Sequence, residues 1–557
     1  MSLLRGYFSG VSLFLDLVFL ASLILAGFAP QLGGGAFNAL EKFGARLANK
    51  KRLATVSIAL AAIVIRLSLL WIAPAPVPHT HDEFSYLLAA DTFAHGRLAN
   101  PPHPMRLFLD TIHVNQLPTY VSKYQPAQGA VLALGEILGN PWIGVLLSTA
   151  AMCGAVLWML QGWLPSRWAL LGGLLVLLRV GIFSYWMNSY WGGAVPATGG
   201  ALVTGALPRL VRWCRLRDSV LLGIGSALLI NSRPLEGAFL HIPVAAFLIA
   251  WLFGRQNQPW TTKLRRCLFP WAAIAAVSGA FFCYYNWRAT GNPFLPPYLV
   301  NEQTYISTPT LLWQKPRPPL RYDNPQFDAF YNGWLREQWM EGRSDTVAHV
   351  VRHVFWNILK FVNFFLWPEF FLLIFASTKI YRNRGAPFLL AQLGICFLGF
   401  LSIAWFQPHY AAPIMATLFV IIVQGLRHVR RWELAGRPIG IGLTRVIVLF
   451  AVVLAPFHPH AATLGHHEPV GIEYRAQIEA QLERTAGKQL VIVRYSPAHE
   501  VLAEWVYNEA DIDNERVVWA REIPGRDSKP LLNYFRGRTA WLLQPDFSPP
   551  RLAPYPK

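Results

Sequence analysis

His81-Asp82-Glu83-Phe84-Ser85-Tyr86 places two adjacent carboxylates shortly beyond a long apolar run, Ala54 to Ala73. Carboxylates are scarce in this chain, 30 Asp plus Glu in 557 residues. A pair of them at a membrane surface, continued by the helix-like Phe84-Ser85-Tyr86-Leu87-Leu88-Ala89-Ala90, is held rigidly at the mouth of a membrane cavity, where chemistry is expected. The plain reading is that Asp82 and Glu83 are exposed first-turn residues of an interfacial helix, favoured by its dipole. The pair alone does not choose between these.

Composition sets the class. With 54% hydrophobic and only 14% charged residues, the chain is a polytopic membrane protein and not an ordinary soluble one. Its 49 Lys plus Arg give a formal charge of +19, which in a soluble domain would suggest nucleic acid. Here the basic residues cluster between apolar runs, as cytoplasmic loops do, and no nucleic-acid partner is expected. The five cysteines lie in apolar spans or basic loops without a CxxC and carry no chemistry.

Hydropathy and the positive-inside rule predict about twelve crossings. They lie near Val11–Phe28, Ala54–Ala73, Trp142–Leu160, Ala169–Phe183, Trp191–Leu207, Ser219–Ile230, Ala238–Phe253, Leu268–Tyr285, Val354–Ala376, Pro387–Trp405, Ala411–Gly425 and Leu443–Phe457. Val11–Phe28 contains Asp16 and lacks a small-x-small cleavage site, so it reads as a retained helix and not a secretory signal. The loops bearing Arg209 to Arg217, Arg255 to Arg266 and Arg427 to Arg437 then fall on the cytoplasmic side, and 74–141 and 286–352 form outer loops. Ala127–Leu138 is too short to cross and reads as a juxtamembrane helix. Phe327, Phe330, Tyr331, Trp334 and Trp339 form an amphipathic run suited to rest on the bilayer.

The expected fold is thus a polytopic α-helical membrane domain over 1–459 and an extracytoplasmic soluble α/β domain over 460–557. In the latter, candidate strands Leu490–Tyr495, Arg516–Ala520 and Ala540–Gln544 alternate with helix-like Ala498–Glu509 and Lys529–Phe535. It has no phosphate-binding glycine loop, so a structural or recruiting role is favoured over catalysis.

Polar residues gather where spans meet the outer face: Asp82, Glu83, Lys123, Asn188, Arg233, Arg288, His409 and Tyr410. One such residue alone is more often a helix-end or snorkelling group than a ligand. Several cations with one acidic pair on the same side suggest an anionic, lipid-anchored substrate approaching a carboxylate from the bilayer.

At these positions the sequence resembles the GT-C class of membrane glycosyltransferases, especially the protein O-mannosyltransferases and lipid A aminoarabinose transferases. The resemblance rests on Asp82-Glu83 with Tyr86, Lys123-x-x-Pro126 before a juxtamembrane helix, Ser232-Arg233-Pro234, Tyr285-Asn286 to Gly291-Asn292-Pro293, and Tyr410-x-x-Pro413. It implies that Asp82, with Glu83, supplies the catalytic base. Lys123 and Arg233 would hold the phosphate of a polyprenyl-linked sugar, and Tyr86, Asn188, Arg288, His409 and Tyr410 would complete the substrate site. It implies further a GT-C-like fold, a polyprenyl-phosphate sugar donor, a lipid, glycan or protein acceptor, membrane lipids as surroundings, and a place in the inner (plasma) membrane of a bacterium.

The sequence departs from that class in two places. Ser122, not an acid, precedes Lys123, and Tyr185 to Trp191 contains neither Asp nor Glu. A divalent metal is therefore an open question; His79, His81, His103 and His113 could supply imidazoles, but without fixed spacing they read as ordinary loop histidines. The expected activity is an inverting hexosyl or pentosyl transfer to a hydroxyl. A transporter or lipid-linked saccharide flippase is the alternative; it would show internal repeats and charges at the membrane midplane, which this sequence lacks. A noncatalytic scaffold would leave the one-sided gathering of Asp82, Lys123 and Arg233 without a reason.

Overall fold

The computed structural model describes residues 10–254, 258–343, 347–366, 385–457 and 471–556. They form a mostly helical body with a small sheet towards the C-terminal end. Among the described residues four helices are long and apolar enough to cross a membrane: Pro141–Trp163, Pro234–Phe253, Trp260–Thr290 and Pro408–Val429. Leu17–Phe28, Ala386–Leu401 and Ile439–Leu454 are apolar but shorter.

Helix length alone therefore does not give the expected twelve crossings, and the reason is local. The run Ala169–Phe183 is split into an α-helix Ser166–Val176 and a wider π turn Leu177–Ile182. Ala194–Trp213 is lined with glycine and alanine, so its mean hydropathy is modest although most of it is buried. Small residues serve close packing there: a Cβ on Gly200 would overlap the Pro413 carbonyl of the turn that carries His409 and Tyr410. The expected span 354–376 begins inside the helix Val347–Phe365, and its part after Leu366 lies outside the described residues.

The outer layer is built on the helix His81–Ala94, which starts at Thr80 with Glu83 reaching back to the Thr80 N–H as a capping box. Pro126 opens the helix Pro126–Ile137, which lies across Pro141–Trp163, with Gly135 and Gly144 letting the two backbones meet. Between these helices a short antiparallel pair, Val114–Asn115 with Val121–Ser122, sets a register that brings Lys123 opposite His113.

Phe327, Phe330, Tyr331 and Trp339 do not rest on a bilayer. They are 0–3% exposed, and the first three pack with Ile112, Ile306 and Leu335. A π turn, Asp328–Trp334, rotates successive aromatic rings inward instead of along one outer face.

The C-terminal unit is a four-stranded sheet in the order Val517–Arg521, Gln489–Val493, Thr539–Gln544, Arg551–Pro554, parallel across the first three and antiparallel at the last. The first two strands are buried on both faces, as parallel strands usually are. Ala498–Glu509 is not a helix. Trp505, Val506 and Tyr507 are buried, and their carbonyls are taken by Arg475 and Thr111, so tertiary bonds replace the helical ladder. This segment docks on the outer loop: Thr111 donates to Val506 O, Tyr120 to Asn508 O (2.8 Å), and Arg521 to Asp110 O (2.6 Å). Phe84, Leu88 and Phe108 share one apolar cluster with Leu490 and Ile492.

Candidate active site

A cavity of about 450 Å³ opens between the long loops and the helix ends. Asp82, Tyr86, Lys123, Arg233, His409 and Tyr410 all line it, although they span more than three hundred residues of sequence. Each is delivered by a local device. Asp82 stands in the first turn of the helix His81–Ala94, where the dipole favours an anion. Arg233 sits at the break before Pro234, since a residue preceding proline leaves the helical region. His409 and Tyr410 lie on the 3₁₀ turn Pro408–Ile414 that opens the enclosed span.

Asp82 is held by one oxygen. Tyr124 donates its hydroxyl to Oδ1, and His113 Nε2 lies 3.5 Å from the same atom. Among the described residues no donor reaches Oδ2, which leaves it for a proton-bearing substrate group. Lys123 is 6% exposed; its ammonium donates to His113 Nδ1 at 2.6 Å and faces the rings of Tyr124 and Tyr298 at 5.1 and 5.5 Å. Burial pushes this ammonium down to about 8, with Asp82 and Glu302 pulling it back up. Burial and the neighbouring Lys123 keep the His113 imidazole neutral, far below the usual histidine range. Arg233 stacks on Tyr410 at 4.6 Å and pairs with Glu236 at 3.4 Å.

Three expected site residues lie elsewhere. Glu83 points away from the cavity and accepts N–H bonds from His79 (3.1 Å), Thr80 (3.4 Å) and Tyr190 (3.0 Å). Burial raises its carboxyl while these donors lower it, and the residue pins the start of the helix instead of sharing chemistry with Asp82. Asn188 accepts from Arg66 Nε (3.0 Å) and donates to the Ile182 and Ser184 carbonyls, tying a loop to the helix Lys51–Ser68. Arg288 is exposed and, among the described residues, reaches only Tyr284, one turn back on its own helix.

The sequence does not mark the other lining residues as substrate contacts, and Phe330 and Trp334 stand out in it only as part of an amphipathic run. Glu302, Phe330, Trp334 and Trp405 come from the long outer loop and the approach to the last enclosed span, and Leu502 from the C-terminal unit. Of the four outer-loop histidines, His81 and His113 face the cavity. His103 meets Asp513 at 3.3 Å and His79 meets Glu473 at 3.7 Å, both in the C-terminal unit.

One ligand atom each from His81, Asp82 and His113 lie within 4.8 Å of one another, a set with the composition of a divalent metal centre. The fit fails on the proton inventory. While the Lys123 ammonium donates to Nδ1 of His113, the ring carries its own proton on Nε2 and turns an N–H, not a lone pair, towards Asp82. His81 Nδ1 is buried and unpartnered, but with Asp82 it makes only two donors.

No protein-family model matches the chain, and no curated protein matches it. Among solved structures it is similar to ArnT from Cupriavidus metallidurans bound to undecaprenyl phosphate, at 12% identity over 88% of this chain and 92% of that one, with a TM-score of 0.46. It is similar also to the oligosaccharyltransferase of Archaeoglobus fulgidus in complex with zinc and sulfate, at 12% identity over 88% of this chain and 67% of that one, TM-score 0.49. A third is the Archaeoglobus fulgidus oligosaccharyltransferase AglB with an inhibitory peptide and dolichol phosphate, at 10% identity over 88% and 69%, TM-score 0.41.

Proposed function

We propose that this chain is an integral membrane glycosyltransferase of the GT-C type. It moves a hexosyl or pentosyl group from a polyprenyl-phosphate donor to a hydroxyl of a lipid, glycan or protein acceptor, on the outer face of a bacterial inner membrane. The observation that carries the reading is the meeting of the Asp82 carboxylate, whose Oδ2 is free of protein donors among the described residues, with two cations, Lys123 and Arg233, in a single cavity. At about 450 Å³ that cavity is within the range of small-ligand sites, roughly 300–1,000 Å³, and takes a sugar phosphate but not a long isoprenoid. The tail has a path: Pro234–Phe253 starts directly after Arg233, and Ile242, Ile249 and Phe253 along it are exposed apolar residues.

The chemistry follows from charge. Asp82 Oδ2 takes the acceptor proton as the hydroxyl oxygen attacks the anomeric carbon from the side opposite the phosphate, inverting that centre. The bond from the anomeric carbon to the phosphate oxygen breaks, and the phosphate gains negative charge. Lys123 and Arg233 stabilise that charge more in the transition state than in the bound donor, which is the condition for rate enhancement. Arg233 supplies a planar fork and Lys123 a point charge. No soluble nucleotide takes part. The C-terminal unit, on the same outer side, contributes Leu502 to the cavity wall.

The test is reconstitution of the full chain in vesicles with a panel of polyprenyl-phosphate sugars, scoring glycosylated acceptor and released lipid phosphate. Transfer by the wild type, a loss of about 10²–10⁴-fold in Asp82→Asn and unchanged donor binding in that variant are expected. Full activity in a folded Asp82→Asn protein, or movement of intact donor across the bilayer without sugar release, overturns the reading.

A further inference from the structure

We infer that His113 is a positioning residue that stands between Lys123 and Asp82 as a neutral spacer, keeping the cation and the base from closing on each other. The inference rests on the transferase reading above and assigns to His113 a role other than the metal ligand or ordinary loop histidine that its sequence suggests.

Each ring nitrogen of His113 faces one of the two charges: Nδ1 meets Lys123 Nζ at 2.6 Å and Nε2 meets Asp82 Oδ1 at 3.5 Å. An ammonium has no lone pair, so Lys123 is the donor and Nδ1 the acceptor; the ring proton is therefore on Nε2 and is offered to Asp82. The imidazole thus accepts from Lys123 and turns its N–H side towards Asp82 in one tautomer, without carrying charge itself, the 3.5 Å approach to Asp82 being longer than a hydrogen bond.

The ring is held in place from its backbone outwards. His113 has φ +67, in the left-handed region that is uncommon outside glycine, although histidine, asparagine and aspartate enter it more readily than most residues. Such strain persists only where the surroundings impose it. Here its carbonyl accepts from Ser85 Oγ at 2.7 Å and from the Lys123 N–H at 3.2 Å, so Lys123 grips the residue at both main chain and side chain. The rings of His81, at 4.6 Å, and Phe330, at 5.4 Å, bound the imidazole on further sides.

Without the ring, a buried ammonium and a carboxylate in the same cavity attract strongly, because little water screens them. A direct ion pair would neutralise the carboxylate whose free oxygen, Oδ2, must receive the acceptor proton, and would occupy the Lys123 protons that must face the leaving phosphate. The spacer leaves both groups close enough to serve one substrate and unable to neutralise each other. It also explains why His81, Asp82 and His113 gather like metal ligands while His113 withholds its lone pair.

The left-handed backbone makes glycine a benign replacement, since it adopts φ +67 without strain. His113→Gly, in the full chain in vesicles with the donor the wild type uses, is expected to lose about 10²-fold in kcat with donor KM changed less than about threefold. Added imidazole fills the vacated space and is expected to restore at least about tenfold of that loss. His113→Asn, whose side chain also tolerates this backbone but is too short to reach both partners, is expected to lose kcat to a similar degree. A kcat within about threefold of wild type in both variants overturns the inference, as does recovery with Mn²⁺ or Zn²⁺ instead of imidazole, or loss of the folded protein in both. A second readout needs no turnover: nitrogen-15 spectra of histidine-labelled chain, assigned by the signal missing in His113→Gly, are expected to give a ring protonated on Nε2 alone near neutral pH. A ring protonated on Nδ1 or on both nitrogens refutes the spacer. A wild type that transfers none of the panel sugars counts against the transferase reading, and these spectra then still decide the arrangement of the ring.

Discussion

Replacing Lys123 with methionine is expected to remove most transfer activity while leaving the protein as stable as before, or more so. Methionine has nearly the length of the lysine stem and no charge to bury. The ammonium is lowered from 10.5 to about 8 chiefly by burial. At about 1.4 kcal/mol for each tenfold change, that is about 3 kcal/mol against the charged form in the folded state at neutral pH. The substitution removes this penalty but leaves His113 Nδ1 without its donor, a loss of about 1–3 kcal/mol. The balance at pH 7 lies between no change and about 2 kcal/mol of added stability. The pH dependence has a definite sign. Between about 8 and 10.5 the unfolded lysine binds a proton that the folded one has released. The wild type therefore gains stability from this group as pH rises through that window, and the penalty is fully present below it. Lys123→Met lacks that rise. For activity the sign is opposite: kcat/KM of the wild type is expected to fall as the ammonium is lost above about pH 8, since the free enzyme then meets the donor without it. Melting in detergent at pH 7 and pH 10, with initial rates across the same range, measures both. Destabilisation of Lys123→Met by more than about 1 kcal/mol at pH 7, or transfer within about threefold of wild type, refutes the argument.

Arg233→Ala is expected to weaken donor binding and to slow transfer, and Arg233→Lys to recover only part of each, because a point charge cannot grip two phosphate oxygens while stacked on Tyr410; equal kinetics for the two variants would contradict a forked contact. Glu83→Gln, which turns an amide NH₂ towards the buried Tyr190 N–H or towards the half-buried N–H groups of His79 and Thr80, is expected to lose about 1–3 kcal/mol of stability, with kcat per folded molecule reduced far less than in Asp82→Asn. Gly200→Ala, whose new methyl would displace the Pro413 carbonyl, is expected to disturb the turn that presents His409 and Tyr410 and to raise donor KM; an unchanged KM would uncouple that turn from the site. A cysteine at the exposed Lys529 is expected to react with a membrane-impermeant thiol reagent in intact cells and one at Arg212 to react only after lysis, measured over the background of the native cysteines. The reverse pattern would invert the topology.

The parts of this site that could be read from sequence are those set by short-range rules. Pro234 fixes where a helix breaks and so where Arg233 emerges, and Pro126 starts the helix that follows Lys123. The acidic pair was half legible. Successive residues of a helix point about 100° apart, so Asp82 and Glu83 cannot face the same space, and only the capping contact with Thr80 says which one turns inward. His113 was hidden because its role depends on a hairpin register and a positive φ, neither of which its neighbours in sequence announce. The segment Ala498–Glu509 has a helical rhythm that loses to bonds with residues far along the chain, at Thr111, Arg475 and Trp519. Asn188 and Arg288 satisfied the rule of polar residues at outer helix ends, yet one serves a loop and the other its own helix face.

The docking of the C-terminal unit on the outer loop bears on when the protein becomes competent. Ribosomes make Asp82 and Lys123 long before Val506, Asn508 and Arg521, whose bonds to Thr111, Tyr120 and Asp110 secure the loop between them. A nascent chain that stopped before these residues would hold Asp82 and Lys123 on an unsecured loop. Assembly of this cavity therefore waits on residues far along the chain from the groups it gathers.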